Sequence, residues 1–512
     1  MSLAQISVAE RFRGVPDYEL DQEEEEEGDA RISPAELDQL GTFLGRPILR
    51  KAALSEAPAA PATRRSVKLP NWLLPIVGTI ANIASVTILG LMVHSVSSTL
   101  KFNGLFLMYI GLIVSYLCVE AAIIREAFAS RRLFADVSAA PLLLNGSATA
   151  IIAAHLPSEP ILQIVETVSA WRSLAGITEV ILACNGAGAP AIRSALAQFD
   201  PSDGGARVCV LHLGDEGGSK AANINAALAM VKTDYLVVLD ADHVPGSAEV
   251  AERALYQLAI AGFDCVQGRC VVGHEDAAGL LQRLVGVEFD ILYGVAHPGR
   301  TQVSGFGLFG GSNGWWRTAT LRQVGFDLTM LTEDIDCATR ALIGRAKITY
   351  NPLITTIEAA PASWSAHLRQ RLRWCQGWTE VRARHKVELR RWQKDPERPE
   401  RGVSWLYVWL GWWPLLAWAM PGILVARVVV EGPSAIHWWH PIFGPLTIVT
   451  WAGGWALAYF GYRVRAPWRS RKDFLIGALL AVPYSGYLSS IALGAFVRHL
   501  AGDRRWQPTG RV

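Results

Sequence analysis

The chain has 512 residues, of which 51% are hydrophobic and 19 are tryptophans, with a mean hydropathy of +0.23. It is too apolar for an ordinary soluble protein and long enough for a large globular domain beside membrane segments. A formal net charge of +2 gives no reason to expect a nucleic-acid partner, and seven scattered cysteines without metal-ligand spacing read as reduced cytosolic thiols.

Residues 1–70 lack a signal-peptide layout. The acidic block Glu23–Glu27 and the Ala/Pro-rich stretch Ala53–Thr63 describe a mostly disordered cytosolic tail, open to a regulatory partner. Ser33-Pro34-Ala35-Glu36 is a helix-start pattern within it. Trp72–Val96 and Leu105–Ile124 each approach the ~20 apolar residues that span a bilayer. Arg64, Arg65 and Lys68 precede them, and Arg125, Arg131 and Arg132 follow. Both flanks are therefore expected in the cytosol, with residues 71–130 forming a transmembrane hairpin.

A soluble domain over residues 136–391 is expected to follow, where short apolar runs alternate with helical stretches in an α/β pattern. Thr149–Ala154, Glu179–Ala183, Arg207–Leu213 and Tyr235–Leu239 read as strands, and Ile161–Ser173, Ala191–Phe199 and Ser219–Val231 as helices. Such alternation predicts a mainly parallel sheet with its ligand site at the strand carboxyl ends. Asp240 and Asp242 stand at that edge, where paired carboxylates can hold a cation and a sugar or ribose.

Gly217-Gly218-Ser219-Lys220 opens the preceding helix. Free backbone N–H groups, the helix dipole and an ammonium suit an anionic donor there, making Lys220 a donor-binding candidate. Ser219 stands where the phosphate loop of ATPases needs glycine, which argues against an ATP-driven reaction. Downstream, His297-Pro298-Gly299-Arg300 reads either as a phosphate or acceptor contact or as a structural turn. In the run Gly305–Trp316, five glycines permit close backbone approach, and Trp315 and Trp316 are candidates to stack on an acceptor sugar, with core packing as the alternative. The literal Gly310-x-Ser312-x-Gly314 matches the hydrolase nucleophile elbow, but its flanks are not a strand and a helix.

Thr332-Glu333-Asp334 starts a helical stretch, a position suited to a carboxylate base. In Gln370-Arg371-Leu372-Arg373-Trp374, offsets of three and four put Gln370, Arg373 and Trp374 on one helix face. They offer an amide, a guanidinium for diphosphate and an indole for a sugar.

The ordered set Asp240-x-Asp242, Thr332-Glu333-Asp334 and Gln370-x-x-Arg373-Trp374, flanked by membrane spans, resembles the processive family 2 glycosyltransferases, which include cellulose, hyaluronan, chitin and curdlan synthases. The runs DADHVP, HPGR, GFGLFGGSNGWWR and MLTEDIDCATR are most similar to a glucan-synthase-like subgroup that includes mixed-linkage β-glucan synthases. The resemblance implies a GT-A fold, an α/β nucleotide-diphospho-sugar transferase domain inserted between transmembrane helices. It also implies a UDP-sugar donor, a growing polysaccharide as acceptor, and Mg2+ or Mn2+. By position, Asp240 and Asp242 would hold donor and metal and Asp334 would be the catalytic base, with Glu333 beside it at the acceptor. Gln370, Arg373 and Trp374 would bind the diphosphate and the acceptor end. Leu156-Pro157-Ser158-Glu159 and Cys184-Asn185 depart from the family's usual Tyr-Asn-Glu and Asp pair, which leaves the nucleotide-base contacts open.

Residues 392–512 are expected to form an interfacial helix and C-terminal transmembrane segments, the apolar stretches being Val403–Val430, Ile442–Tyr462 and Phe474–Val497. The basic loop Arg463–Lys472 belongs in the cytosol. Three crossings would put the basic residues of 498–511 outside, so two hairpins and an irregular third element are expected, with Pro483–Gly486 as a break. The whole describes a multi-pass protein of the plasma (inner) membrane that polymerises a β-linked polysaccharide, as a β-glucan synthase would, in a cytosolic domain. Two alternatives share parts of this pattern: transfer of one sugar to a lipid phosphate, and an inactive membrane receptor on the same fold.

Overall fold

The computed structural model describes residues 69–100, 103–138, 146–199, 203–215, 218–273, 279–397, 418–434 and 453–503. The acidic tail, residues 403–417 and residues 442–452 lie outside the described residues.

Two long apolar helices come first, α1 (Leu73–Thr99) and α2 (Gly104–Ser138), both long and apolar enough to cross a membrane. Large apolar side chains such as Ile80, Met92, Leu107 and Val114 face outward along them. At 35 residues, α2 measures about 52 Å against the ~30 Å of a hydrocarbon core. Its last turns therefore reach the soluble domain, where Leu133 and Val137 join a core cluster with Val272, Val285, Phe289 and Tyr350. The helix runs 14 residues past Ile124, so hairpin and domain share one continuous element.

The domain follows as β1 (Ala148–His155), α3 (Ile161–Arg172), β2 (Ile177–Asn185), α4 (Ala189–Leu196), β3 (Arg207–His212), α5 (Lys220–Met230) and β4 (Tyr235–Asp240). These match the expected order. The next elements are β5 (Val244–Pro245), α6 (Val250–Ala259), β6 (Cys265–Val272), α7 (Leu280–Ile291), α8 (His297–Ser304), β7 (Gly314–Arg317) and α9 (Thr318–Val324). Then come α10 (Glu333–Ile343), β8 (Ile348–Glu358), α11 (Trp364–Arg384) and α12 (Lys386–Lys394). The eight strands make one sheet, ordered β3-β2-β1-β4-β7-β6-β8-β5. β1 to β4 are parallel, β7 runs antiparallel to both neighbours, and β6 and β8 pair in parallel.

Alternation along the strands divides the core into two layers. Ile151, Ile181, Leu236, Val238 and Trp316 face α5, α10 and α12, whereas Ile152, Leu182, Val237, Leu239 and Trp315 face α3, α4 and α6. A ladder irregularity between Gly268 and Arg269 leaves Pro352 outside the β6–β8 pairing, which is how β8 tolerates a proline.

At the C-terminal side lie α13 (Ala419–Glu431), helical residues 453–463, α14 (Arg471–Leu479) and α15 (Ala481–Leu500). The last two are bent by 65° at Leu480. The expected break is real but lies ahead of Pro483, which fits the first turn of α15, where its missing N–H costs little. Glycines bring these helices onto α1: a Cβ on Gly494 would meet Leu74 C at 2.6 Å, and one on Gly422 would meet Ile83 O at 2.7 Å. The basic loop is pinned to the domain by Arg469, which shares the fully buried Asp290 with Arg269 of β6, at 3.3 and 2.8 Å.

Candidate active site

The site forms where β4 ends. Its Leu236-Val237-Val238-Leu239 run is buried between both core layers, which fixes the direction in which Asp240 leaves the sheet. The Asp240 N–H donates to Ser312 Oγ at 3.0 Å, and its carboxylate forms an ion pair with Lys220. Lys220 begins α5, whose N-cap Ser219 accepts a hydrogen bond from the Ala222 N–H. Asp242, two residues on, accepts from the Ala359 N–H at 3.2 Å, just beyond β8.

Lys220 Nζ also donates to the Gly311 carbonyl at 2.8 Å. Burial works against its charge, but Asp240, Glu333 and Asp334 outweigh burial and hold the Lys220 pKa above the usual lysine value. One ammonium thus pairs with the strand-end carboxylate while feeling the charge of the pair at the start of α10. Burial, and after it the Asp334 charge, push Glu333 up to about 7. Burial likewise raises Asp334, against the pull of Lys220, the Ile335 N–H and Arg373. Two half-buried carboxyls with raised proton affinity, held by a lysine and an arginine, have the character of a general base near neutral pH.

The third acid in the segment is already committed. Asp336 is fully buried and bonds Arg340 and His385 at 2.7 Å each, tying α10 to the start of α12. Thr332, the residue at the N-cap of α10, makes no side-chain cap hydrogen bond; it packs against Gly377 of α11, where a Cβ would come within 2.4 Å of its side chain.

α11 supplies the expected trio. Gln370 is buried, Arg373 Nη1 approaches the Leu331 carbonyl at 3.4 Å, and the Arg373 charge acts on both Glu333 and Asp334. Trp374 is half-buried, with the Arg371 guanidinium 4.3 Å from its ring centroid.

At two places where the sequence leaves a functional and a structural reading side by side, the structure takes the structural one. Trp315 and Trp316 are fully buried on β7, one in each layer, Trp315 against Trp171 at 5.9 Å and Trp316 against Phe309 at 5.5 Å. Neither presents a ring to an acceptor. The HPGR segment forms α8, a helix docked on α2: Arg300 pairs with Glu126 at 3.6 Å, and a Cβ on Gly299 would fall 2.0 Å from Glu126 O.

Sequence reasoning also missed Gly311, Ser312 and His243. Gly311 has φ +95°, and a Cβ there would meet Asp334 Oδ2 at 2.5 Å. His243 is buried with Nε2 3.5 Å from Glu358 and 4.0 Å from Asp240. Burial disfavours its charge, yet Glu358 and Cys270 prevail and raise the imidazole to about 10. The donor atoms of Asp240, Asp242 and His243 lie within 4.8 Å of one another, a grouping that fits a divalent cation.

A parallel strand set ending in carboxylates, continued by the antiparallel β7 and the β6–β8 pair, is a GT-A domain beside membrane-type helices. Two family profiles match, glycosyl transferase family 2 over residues 149–283 and glycosyl transferase family group 2 over residues 235–462. The chain belongs to glycosyltransferase family 2. It is 28% identical over 146 residues to probable glucomannan 4-beta-mannosyltransferase 7 of Oryza sativa subsp. japonica, covering 28% of this chain and 25% of that protein. The cellulose synthase catalytic subunit (UDP-forming) of Xanthomonas axonopodis pv. citri is 25% identical over 181 residues, covering 32% and 23%. Poly-beta-1,6-N-acetyl-D-glucosamine synthase of Staphylococcus aureus is 25% identical over 170 residues, covering 32% and 40%. The chain therefore spans less than half the length of each of these relatives. A mannosyltransferase from Pyrobaculum calidifontis, solved with GDP-Man and Mn2+, aligns with 77% of this chain and 99% of its own at TM-score 0.49 and 15% identity.

Proposed function

We propose that this protein is an inverting, UDP-sugar-dependent hexosyltransferase that polymerises a β-linked polysaccharide, a β-glucan first among the choices, and passes it across the inner membrane. The observation that carries this reading is Lys220, whose ammonium pairs with Asp240 and donates to the carbonyl of Gly311, the residue packed against Asp334, and so brings donor and acceptor machinery together. Relatives named as makers of polysaccharides, one of them UDP-forming, support it. In this reading α1 and α2 cross the bilayer, the catalytic domain is cytosolic, and the acidic tail is open to a regulatory partner.

Asp334 takes the proton from the acceptor hydroxyl as that oxygen attacks the anomeric carbon from the face opposite the diphosphate. Inversion of an α-linked donor gives a β-linkage. Lys220 and Arg373 offset charge on the departing diphosphate, and Gln370 and Trp374 hold the acceptor end. Mg2+ or Mn2+, held by Asp240 and Asp242 with His243 beside them, would supply the remaining counter-charge. Glu333, next to the base, is placed to meet an acceptor hydroxyl.

The test is product analysis of membranes given several labelled UDP-sugars. A long β-glucanase-sensitive product is expected, shortened or lost in Trp374→Ala. A lipid-extractable product bearing one sugar per acceptor would replace polymerisation with lipid-phosphate transfer, and absence of UDP release from any donor would leave only a receptor role.

A further inference from the structure

Beside the Asp240–Asp242 carboxylates lies a second group of donor atoms, which shares His243 with the first and adds Cys270 and Glu358, two residues without a part in the transfer reaction. His243 follows β4, Cys270 lies near the end of β6, and Glu358 closes β8. One imidazole nitrogen, the thiol sulfur and one carboxylate oxygen all lie within 4.8 Å of one another. The register explains the meeting, since Cys270 pairs with Thr356 and Val272 with Glu358 across β6 and β8. His243 is 1% exposed and Cys270 2%.

We propose that His243, Cys270 and Glu358 form a site for a borderline-soft divalent cation of the Zn2+ type, distinct from the hard-cation site of Asp240 and Asp242. A thiolate with an imidazole and a carboxylate selects zinc over magnesium, calcium or manganese. His243 Nε2 and Glu358 Oε2 stand 3.5 Å apart. That is beyond the ~2.7–3.2 Å of a formed N–H···O bond. It is close to the ~3.4 Å edge of a tetrahedron with ~2.1 Å metal–ligand bonds.

The other ring nitrogen, Nδ1, lies 3.1 Å from Thr356 Oγ1, a contact of the kind that fixes the ring of a metal-bound histidine. Trp171 Nε1 holds the His243 carbonyl at 2.7 Å, so the residue is fixed at its backbone as well. Binding would release the thiol and imidazole protons to solvent, and three protein donors leave one tetrahedral position for water. The ion would staple the turn after β4 to the ends of β6 and β8. It would also withdraw Nε2 from Asp240, because one nitrogen lone pair serves one ion. This inference is independent of donor sugar and of polymerisation.

Full-length protein in detergent, exposed to Zn2+ and passed over a chelating resin, should retain about one zinc per chain by elemental analysis. The Co2+-loaded protein should show near-ultraviolet thiolate-to-cobalt charge transfer. Cys270→Ser should abolish that band and weaken zinc binding at least ~10-fold, while Asp242→Ala keeps both. Glu358→Gln should keep the band and weaken binding, a readout that stands even where Cys270→Ser fails to fold. Wild type that retains no zinc overturns the proposal. So does zinc binding that survives Cys270→Ser with an unchanged cobalt band, or that disappears in a folded Asp242→Ala.

Discussion

Gly311 stands so close to Asp334 that a methyl group on it would lie 2.5 Å from Asp334 Oδ2, while the Gly311 carbonyl accepts the Lys220 ammonium at 2.8 Å. The glycine holds two functional groups at once, one by leaving room and one by its backbone. Gly311→Ala adds a clash to the cost of a side chain at φ +95°. Its kcat should fall ~10-fold or more with a smaller change in donor KM, since ~1.4 kcal/mol is tenfold in rate. Unchanged kcat would remove Gly311 from the positioning of Asp334.

Asp334→Asn preserves shape and loses basicity. UDP-sugar binding, measured by titration calorimetry, should persist while transfer stops. Loss of donor affinity together with turnover would make Asp334 a donor ligand instead.

The acid limb of the rate profile belongs to the Glu333–Asp334 pair. With Glu333 raised to about 7 and Asp334 raised too, the base is protonated as pH falls, so transfer should decline below about pH 7. Glu333→Gln removes the acid that burial and the Asp334 charge raise to about 7 and leaves Asp334 alone to set the limb, which should then lie at lower pH. A limb that stays in place would separate the two carboxyls.

Asp242→Ala should reduce UDP release roughly a hundredfold or more, a few kcal/mol of lost charge stabilisation. Excess chelator should do the same to the wild type. Full activity in chelator would dismiss the cation.

Gly299→Val should lower the unfolding temperature without touching the chemistry, because its side chain would collide with the α2 backbone at Glu126. An unchanged melting profile would mean that α8 and α2 move apart freely.

The parts of this molecule legible in its sequence are those written in local pattern. Tyr235–Leu239 announces a buried strand because every residue in it is apolar, and Ser219 and Lys220 announce a helix start facing an anion. β6 is hidden because Gln267 and Arg269 interrupt it, yet both are buried with partners at Ser312 O and Asp290 that lie far off in the chain. β7 is hidden by its length of four residues, which is why the sequence leaves Trp315 and Trp316 open between acceptor stacking and core packing. Gly311 and His243 were beyond reach for another reason: their roles depend on where Asp334 and Glu358 arrive. The basic loop carries an orientation signal in its charge, but nothing local reveals that Arg469 closes on Asp290.

The adjacent indoles of β7 set a rule for the length of the glycine-rich stretch before them. Neighbouring strand residues point to opposite sides, so deleting or adding one residue between Gly305 and Gly314 would exchange the layers assigned to Trp315 and Trp316, or pull Gly311 and Ser312 away from Lys220 and Asp240. Away from the glycines that a Cβ would crowd, Gly307, Gly311 and Gly314, substitutions can be absorbed there one by one, but a change of chain length cannot. Descendants of this sequence that still transfer sugar should keep Gly311 and the residue count of this segment, and vary in spelling at its uncrowded positions.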